Sequence, residues 1–529
     1  MVAIPPAPTR NVVVLGASYA GSRAAELLSR TLPPTHRVVV IDRQSHFNHL
    51  YLHPRVSVVP GHAQKVFIPF TGVLPVAPSE TDPKPPASST KDTDADKENK
   101  DVTKKGDDKE KKGDEAVVAA VKEAAREAQK EAAEPVSKLP LARHVIIHAS
   151  VTSVNEDFIE VDRDLLEDER DLDGDDEEVA KLTDELEAAK LEAPSDEKDP
   201  AARRLSWDYL IYALGCTLPP PLQDPYKTKK DGVAFLERQG KTISEATSIL
   251  IAGGGALGIQ YASDIADLYN NPENKEHLKP FEKDGKLPCQ KKITLVHSRD
   301  RFLPLYNQEM HEEISRRLKV LGVDVVLGER LQLPPMEEDK PGEMKSITLK
   351  DGREIKYDLL MRCTGQKPNS QLFRDFLPET LDEQGYINIK PTLQVDVERV
   401  PDFEELSEKI RRNIYAIGDV ANAGVIKAGH TGWNQAGVAV QNIMCCVETD
   451  LLNANLPEDQ PASQPALVAY ERSPPQIKVS LGLADSVSEL LPAMDAKETI
   501  IQPATGGPVD GYYQVVWARM GTESIDITL

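Results

Sequence analysis

Two glycine-rich turns, each set between a short apolar run and a helix-forming run, constrain this chain more than any other feature. The first, Gly16-Ala17-Ser18-Tyr19-Ala20-Gly21, follows NVVVL at 11–15 and opens a helical pattern over 18–30. The second, Gly253-Gly254-Gly255-Ala256-Leu257-Gly258, follows SILIA at 248–252. In such a strand–turn–helix unit the first glycine makes the tight turn. The small third residue lets the backbone approach a pyrophosphate, and the last glycine lets helix and strand pack closely. The helix N-terminus then meets the phosphates with its positive dipole end. Ser18 departs from glycine but stays small. Either turn alone also fits an ordinary glycine turn before a helix. Two of them, about 240 residues apart, are far more specific.

The strands that should follow carry the next signals. RVVVI at 37–41 ends at Asp42, where an acid hydrogen-bonds the adenosine ribose of a bound dinucleotide. ITLVH at 293–297 continues into Ser298 and Arg299 with no acid. Arg299 and Arg301 suit a 2′-phosphate there; the alternative is solvated surface charge. The segment NNPENKEHLKPFEKDGKLPCQ pushes this strand beyond its usual offset. Further strands are expected at WDYLIYALGC (207–216, containing Gly215), YDLLMRCT (357–364, before Gly365) and NIYAI (413–417, before Gly418-Asp419). Before a long apolar helix, the Asp419 carboxylate can accept a hydrogen bond from a ribityl hydroxyl. The helix N-terminus there can stabilise negative charge on a reduced flavin. Strand-like runs recur at 476–482 and 512–518.

The expected fold is α/β: two Rossmann-like dinucleotide-binding domains, for FAD and NAD(P)H, with a smaller C-terminal α+β segment and long polar insertions. The first domain takes 8–226, interrupted at about 78–140 and 164–200. The second takes 227–380, the first resumes over 381–446, and 447–529 forms the C-terminal segment. The first insertion has almost no apolar residue before an Ala/Glu/Lys-rich helical stretch at 115–134, and is expected to be disordered. The second carries a net charge of −13, more than half of the chain's −23. Between them, 143–162 alternates like a pair of short strands. These insertions explain an apolar content of only 40% in a chain with a globular core.

In that order GxSxxG, Asp42, DYLIYALG, GGGALG, YDLLMRCTG and IYAIGD resemble the FAD-dependent pyridine-nucleotide oxidoreductase superfamily. Within it the chain is most similar to apoptosis-inducing-factor-like flavoproteins of the ferroptosis-suppressor type, with type II NADH dehydrogenases as near cousins. The resemblance covers about 11–445 and, more loosely through QIKVSLG, the C-terminal part. It implies FAD at the first unit, NAD(P)H at the second, and electrons delivered to a quinone or similar acceptor. It places Gly16, Ala17, Ser18, Tyr19, Ala20, Gly21, Asp42, Arg55, Val151 and Asp419 at FAD; Gly215 and Gly418 are further expected cofactor-binding residues. It places the nicotinamide nucleotide at the second unit, with Gly253, Gly255 and Gly258, where the strand-end reading adds Arg299; Gly365 is a further expected cofactor-binding residue. Lys427 stands where the family has a lysine near the flavin. Asp264 stands where it has a glutamate near the nicotinamide, and Gln260 likewise replaces a glutamate.

Disulfide reductases of the superfamily carry a redox CxxxxC soon after the first acidic strand end. Here residues 45–55 read SHFNHLYLHPR, so no thiol relay can draw electrons from a flavin. The five cysteines, Cys216, Cys289, Cys363, Cys445 and Cys446, form no CxxC pair and suit a reduced compartment. The negative charge disfavours nucleic acid and anionic lipid. No apolar run reaches the roughly 20 residues of a membrane span. The N-terminus MVAIPPAPTR resembles no signal or transit peptide, and Val2 rules out myristoylation. The expected location is cytoplasmic, compatible with peripheral contact to a membrane or mitochondrion; the oligomeric state stays open. Glu169–Ala180 imitates a calcium loop but lacks its closing glutamate, and His46, His49 and His53 have no carboxylate or cysteine to complete a metal site. No metal is expected, and catalysis is expected to be flavin-centred. The rival reading is a flavoprotein whose redox state gates partner binding.

Overall fold

The computed structural model describes residues 10–74, 144–163, 203–223, 226–335, 340–457, 460–493 and 496–522. Most of both polar insertions, with the helix expected at 115–134 and the calcium-loop-like run at 169–180, lies outside these residues. The chain opens with β1 (Arg10–Leu15), α1 (Tyr19–Thr31), β2 (His36–Asp42) and α2 (His53–Val58). After the first insertion come β3 (Val145–His148), β4 (Val151–Val154) and β5 (Phe158–Val161). After the second come β6 (Arg204–Ser206) and β7 (Tyr209–Tyr212). The second unit runs α3 (Lys229–Glu245), β8 (Ser248–Ala252), α4 (Ala256–Asn270), β9 (Lys292–Val296), α5 (Gln308–Val320), β10 (Asp324–Val326) and β11 (Leu359–Arg362). The chain then adds β12 (Ile414–Ala416), α6 (Gly429–Asn453), β13 (Ile477–Ser480), β14 (Ser486–Leu490), β15 (Ile500–Ala504) and α7 (Tyr513–Arg519).

Two parallel sheets result. One has the order β12-β7-β1-β2-β3, the other β10-β9-β8-β11. Both are covered on two faces, which is why their strands read as unbroken apolar runs. Along β1, Val12 and Val14 pack toward α1 and α6, while Val13 and Leu15 pack toward Val154, Ile159 and Leu205 of the small β4-β5-β6 sheet. In the second sheet Ile249 and Ile251 join Ile259, Ala262 and Ile314 of α4 and α5. Among the described residues no helix is long and apolar enough to cross a membrane.

Several boundaries differ from the sequence expectation. Residues 143–162 form three strands, and the first of them, β3, joins the large parallel sheet beside β2. Residues 207–216 and 357–364 contribute only four-residue parallel strands, 209–212 and 359–362. The 512–518 run is a helix, α7. Its β-prone Tyr, Val and Trp residues bury Tyr513 and Trp517, four apart on one helical face, against the first unit, so packing overrides propensity. Phe373 and Leu377 already pack in the first unit's core, so the chain has returned there before residue 380. The C-terminal part is not autonomous: Val479, Leu481 and Val487 pack on the second unit, while Tyr513, Trp517 and Met520 pack on the first.

Candidate active site

The two glycine turns have the same local geometry. Gly16 has φ +92° and Gly253 has φ +118°, values that only glycine adopts freely. Gly16 N donates to Ile41 O at 2.8 Å, and Gly253 N donates to Val296 O at 2.8 Å. A Cβ on Gly21 would lie 1.7 Å from Gly16 O, and one on Gly258 would lie 1.8 Å from Gly253 O. These two glycines therefore allow helix and turn to meet. The third positions face outward instead. Ser18 is exposed, and a Cβ on Gly255 would meet nothing within 4 Å. Both are helix N-caps without a side-chain cap, so the first amides of α1 and α4 remain for an anion. These features fit a pyrophosphate at each turn.

The matched hydrogen bonds also settle the register of the second unit. If Val296 stands where Ile41 does, then His297 stands where Asp42 does. The side chains agree: Ala17 N donates to Asp42 Oδ2 at 2.5 Å, and Gly254 N donates to His297 Nδ1 at 3.1 Å. The long segment before β9 leaves this register intact. Asn270 and Lys291 clasp each other at its two ends, by 2.8 and 3.0 Å bonds, so the chain returns where it left. His297 is a functional candidate that sequence reasoning passed over; its offset from the strand end was the available signal. With Nδ1 accepting, its Nε2 carries the hydrogen, and this buried atom has no partner among the described residues. Burial first, then Arg299, pushes the His297 pKa down, so the ring is neutral near neutral pH. Arg299 is exposed beside it. Arg301 turns away to Gln308 Oε1 and Pro304 O.

The remaining predicted residues fall into three groups. Around Asp419, Gln366 Nε2 donates to Oδ2 at 3.3 Å and Cys216 Sγ approaches the backbone O at 3.5 Å. Lys427 donates to Ala421 O and lies 4.4 Å from the Tyr386 ring centroid. Burial pushes the Asp419 carboxyl up and the Lys427 ammonium down, while each favours the charged form of the other. Gly215 (φ +61°) and Gly365 (φ +101°) end strands β7 and β11 with open space at their Cβ positions. The chain crosses between the units here twice, pairing Cys216 with Pro368 and Thr217 with Lys367. Gly418 N donates to Gln435 Oε1 at 2.7 Å. A Cβ on Gly432 would lie 3.0 Å from Ala20 Cβ, so the N-termini of α1 and α6 converge.

Arg55 and Asp264 form the second group, and the fold pairs them with each other. Arg55 Nε and Nη2 reach the two Asp264 oxygens at 2.8 and 3.0 Å. The guanidinium also donates to Gly482 O, Leu483 O and Val509 O at 2.8, 2.8 and 3.1 Å. The pair is buried and ties α2, α4 and the C-terminal segment together. Burial pushes the Asp264 carboxyl up and Arg55 opposes it.

The remaining residues belong to neither of these two groups. Val151 is half-buried at the start of β4. His49 Nδ1 pairs with Tyr19 Oη at 3.0 Å, and Tyr51 Oη accepts from Gly429 N, the first amide of α6. His53 is fully buried, with its ring 5.7 Å from that of Phe67. Among the described residues no three His, Cys, Asp or Glu side chains are grouped to hold a metal, and the five cysteines are free thiols.

Comparison with known proteins agrees with this arrangement. A protein of Mycosarcoma maydis called Fe-regulated protein 8 is 31% identical over 98% of this chain and 96% of its own length. Human ferroptosis suppressor protein 1 is 27% identical over 48% of this chain and 60% of its own. The structure of the sulfide:quinone oxidoreductase of Aquifex aeolicus has the same fold, with TM-score 0.56 at 11% identity, over 97% of this chain and 92% of that one. Residues 10–442 match the profile described as pyridine nucleotide-disulphide oxidoreductase. With two dinucleotide cradles opening on one junction, the chain belongs to the pyridine nucleotide-disulphide oxidoreductase family and is a flavoprotein that uses FAD and NAD(P)H.

Proposed function

We propose that this protein oxidises NADH or NADPH and reduces a quinone-class acceptor, with FAD carrying the electrons between them. The observation that carries the acceptor assignment is the 45–55 segment. Where disulfide reductases hold a thiol pair, this chain holds His49 and Tyr51, both packed against Tyr19. Without a dithiol, the acceptor must come to the flavin itself. The overall reaction balances as NAD(P)H + H⁺ + quinone → NAD(P)⁺ + hydroquinone. The quinone's two carbonyl oxygens become two phenol O–H groups; the hydride supplies both electrons and one proton, and solvent supplies the other.

Bound FAD supplies the hydride acceptance and electron donation that no side chain here can. The chain's own contribution is placement and field. The α1 and α4 N-termini and their glycine turns would hold the two pyrophosphates, with Asp42 and His297 available to the adenosine riboses. Asp419, which accepts from Gln366, would hold the flavin chain, and the first turn of α6 would favour negative charge on a reduced flavin. The test is anaerobic stopped-flow of the purified yellow protein. NADPH or NADH bleaches the flavin, and a soluble benzoquinone restores its colour in a second fast phase. Heat-released flavin that runs as FMN, or a bleached flavin that quinone does not reoxidise, would refute the assignment.

A further inference from the structure

We infer that the C-terminal helix α7 completes an acceptor subsite, in which Arg519 and Trp433 together with Tyr19 and Tyr51 form a wall for a planar quinone-class ring. The inference deepens the oxidoreductase reading above and rests on it. Four separate pieces of chain build the wall. Tyr19 opens α1, Tyr51 comes from the segment that lacks the thiols, Trp433 lies in the first turns of α6, and Arg519 ends α7.

Two pairs meet directly, and α1 and α6 join them: Tyr19 and Arg23 stand one turn apart on α1, as Gly429 and Trp433 do on α6. The Tyr19 and Tyr51 ring centroids lie 5.2 Å apart. A Cβ on Gly429 would stand 2.9 Å from the Tyr19 ring, so a side chain at that position would push the ring off the α6 N-terminus. Trp433 is flanked by two guanidinium groups, Arg23 at 4.9 Å and Arg519 at 5.7 Å from its ring centroid. The placement of α7 is enforced from behind. Trp517 Nε1 donates to Lys65 O at 2.8 Å, and Trp517 is completely buried. That anchoring leaves the exposed Arg519 pointing across to the first unit. There its charge lowers the pKa of His49, after burial has done most of that, and also favours ionised Tyr19.

The chemistry fits an acceptor better than a structural cation. The chain has a net charge of −23, yet this corner holds a positive group with five N–H donors. Quinone oxygens become more negative as they gain electrons, so a guanidinium at their edge is most useful in the reduced direction. Tyr51 is half-exposed with its hydroxyl fixed on the α6 amide, so its face is held in place for stacking. The competing explanation is that Arg519 is a solvated cation resting on a tryptophan platform.

The experiment uses the FAD-loaded full chain, its R519M, R519K and W433L variants, and a water-soluble 1,4-benzoquinone. Equilibrium binding of benzoquinone to the oxidised protein is read by calorimetry, and the two half-reactions by stopped-flow. The expected result is a rise of about tenfold in benzoquinone Kd and in its KM for R519M and W433L, and about threefold for R519K. The rate of flavin bleaching by NAD(P)H stays at the wild-type value. Ferricyanide, an anionic acceptor without a ring, discriminates further: R519M slows it and W433L does not. Binding within twofold of wild type in both R519M and W433L overturns the subsite. So does an equal slowing of both half-reactions, which marks a structural role. A wild-type flavin that no nicotinamide reduces would instead overturn the oxidoreductase reading, while the calorimetry would still report on the subsite.

Discussion

Nucleotide preference is expected to be decided at one strand end. The matched hydrogen bonds put His297, a neutral ring, at the position Asp42 holds in the first unit, with exposed Arg299 two residues on. An acid there would accept from the 2′-hydroxyl of NADH and repel the 2′-phosphate of NADPH. A charge-assisted bond from Arg299 to that phosphate contributes about 1.5–3 kcal/mol when shielded. Solvent exposure reduces this to about 0.2–1 kcal/mol, or at most roughly fivefold in kcat/KM. Arg299→Ala should therefore lower kcat/KM for NADPH by that factor and leave NADH within about twofold. His297→Asp should go further. The new carboxylate can take the Gly254 N–H as Asp42 takes that of Ala17, so NADH improves while NADPH falls by a further factor of about ten, on the order of 1.4 kcal/mol. Anaerobic stopped-flow reduction by each nucleotide measures both. Because the interaction is exposed, the wild-type advantage of NADPH should shrink as salt rises from about 0.01 to 0.15 M and the screening length falls from roughly 30 to 8 Å. A wild type that strongly prefers NADH, or an Arg299→Ala variant that loses both nucleotides equally, would refute the reasoning.

Other consequences can be checked separately. Gly21→Ala forces a methyl to 1.7 Å from Gly16 O and should give protein without FAD by visible absorbance. Gly258→Ala, at 1.8 Å from Gly253 O, should keep FAD but lose reduction by nicotinamide. Arg55→Met leaves the Asp264 charge and three carbonyls buried without their donor, costing about 3–5 kcal/mol in urea unfolding. The double variant Arg55→Met, Asp264→Leu should recover part of that loss; a double variant no more stable than the single one would remove the ion pair from the explanation. Asp358 gives a pH test. Burial raises its carboxyl pKa, but bonds from the amides of Ser248, Thr247 and Gly342 outweigh that and hold it below the ordinary value. Its stabilisation is therefore complete above the usual carboxylate range and lost as pH falls through it. Asp358→Asn should cost about 1–2 kcal/mol near neutrality and nothing in strong acid. An equal cost at both pH values would assign the effect to lost geometry rather than charge.

Much of this molecule is legible in local sequence, because the strongest signals are short-range. A turn that needs φ above +90°, or that would put a Cβ inside a carbonyl, admits only glycine, so Gly16, Gly21, Gly253 and Gly258 announce themselves. Strands covered on both faces must be apolar throughout, so β1, β2, β8 and β9 stand out within a residue or two. Asp42 follows from its place at the end of β2, and Asp419 from its offset to β12.

The rest depends on contacts between residues far apart in the chain, which no local window contains. Arg55 and Asp264 each looked like a cofactor ligand alone; only folding brings them together, 209 residues apart, to satisfy each other's charge out of water. Residues 143–162 read as a pair of short strands because their alternation is local, but Val145–His148 pairs with β2 across an insertion. Residues 512–518 have strand propensity and became a helix because one face could be buried against the first unit, with Arg519 carried beside Trp433. His297 acquired meaning only when its ring was seen to accept from Gly254 as Asp42 accepts from Ala17. The sequence determined where the dinucleotide turns lie, since steric rules at glycine act within a few residues. Tertiary structure decided what surrounds them, since pairing of charges and burial of faces are settled only when distant segments compete for the same space.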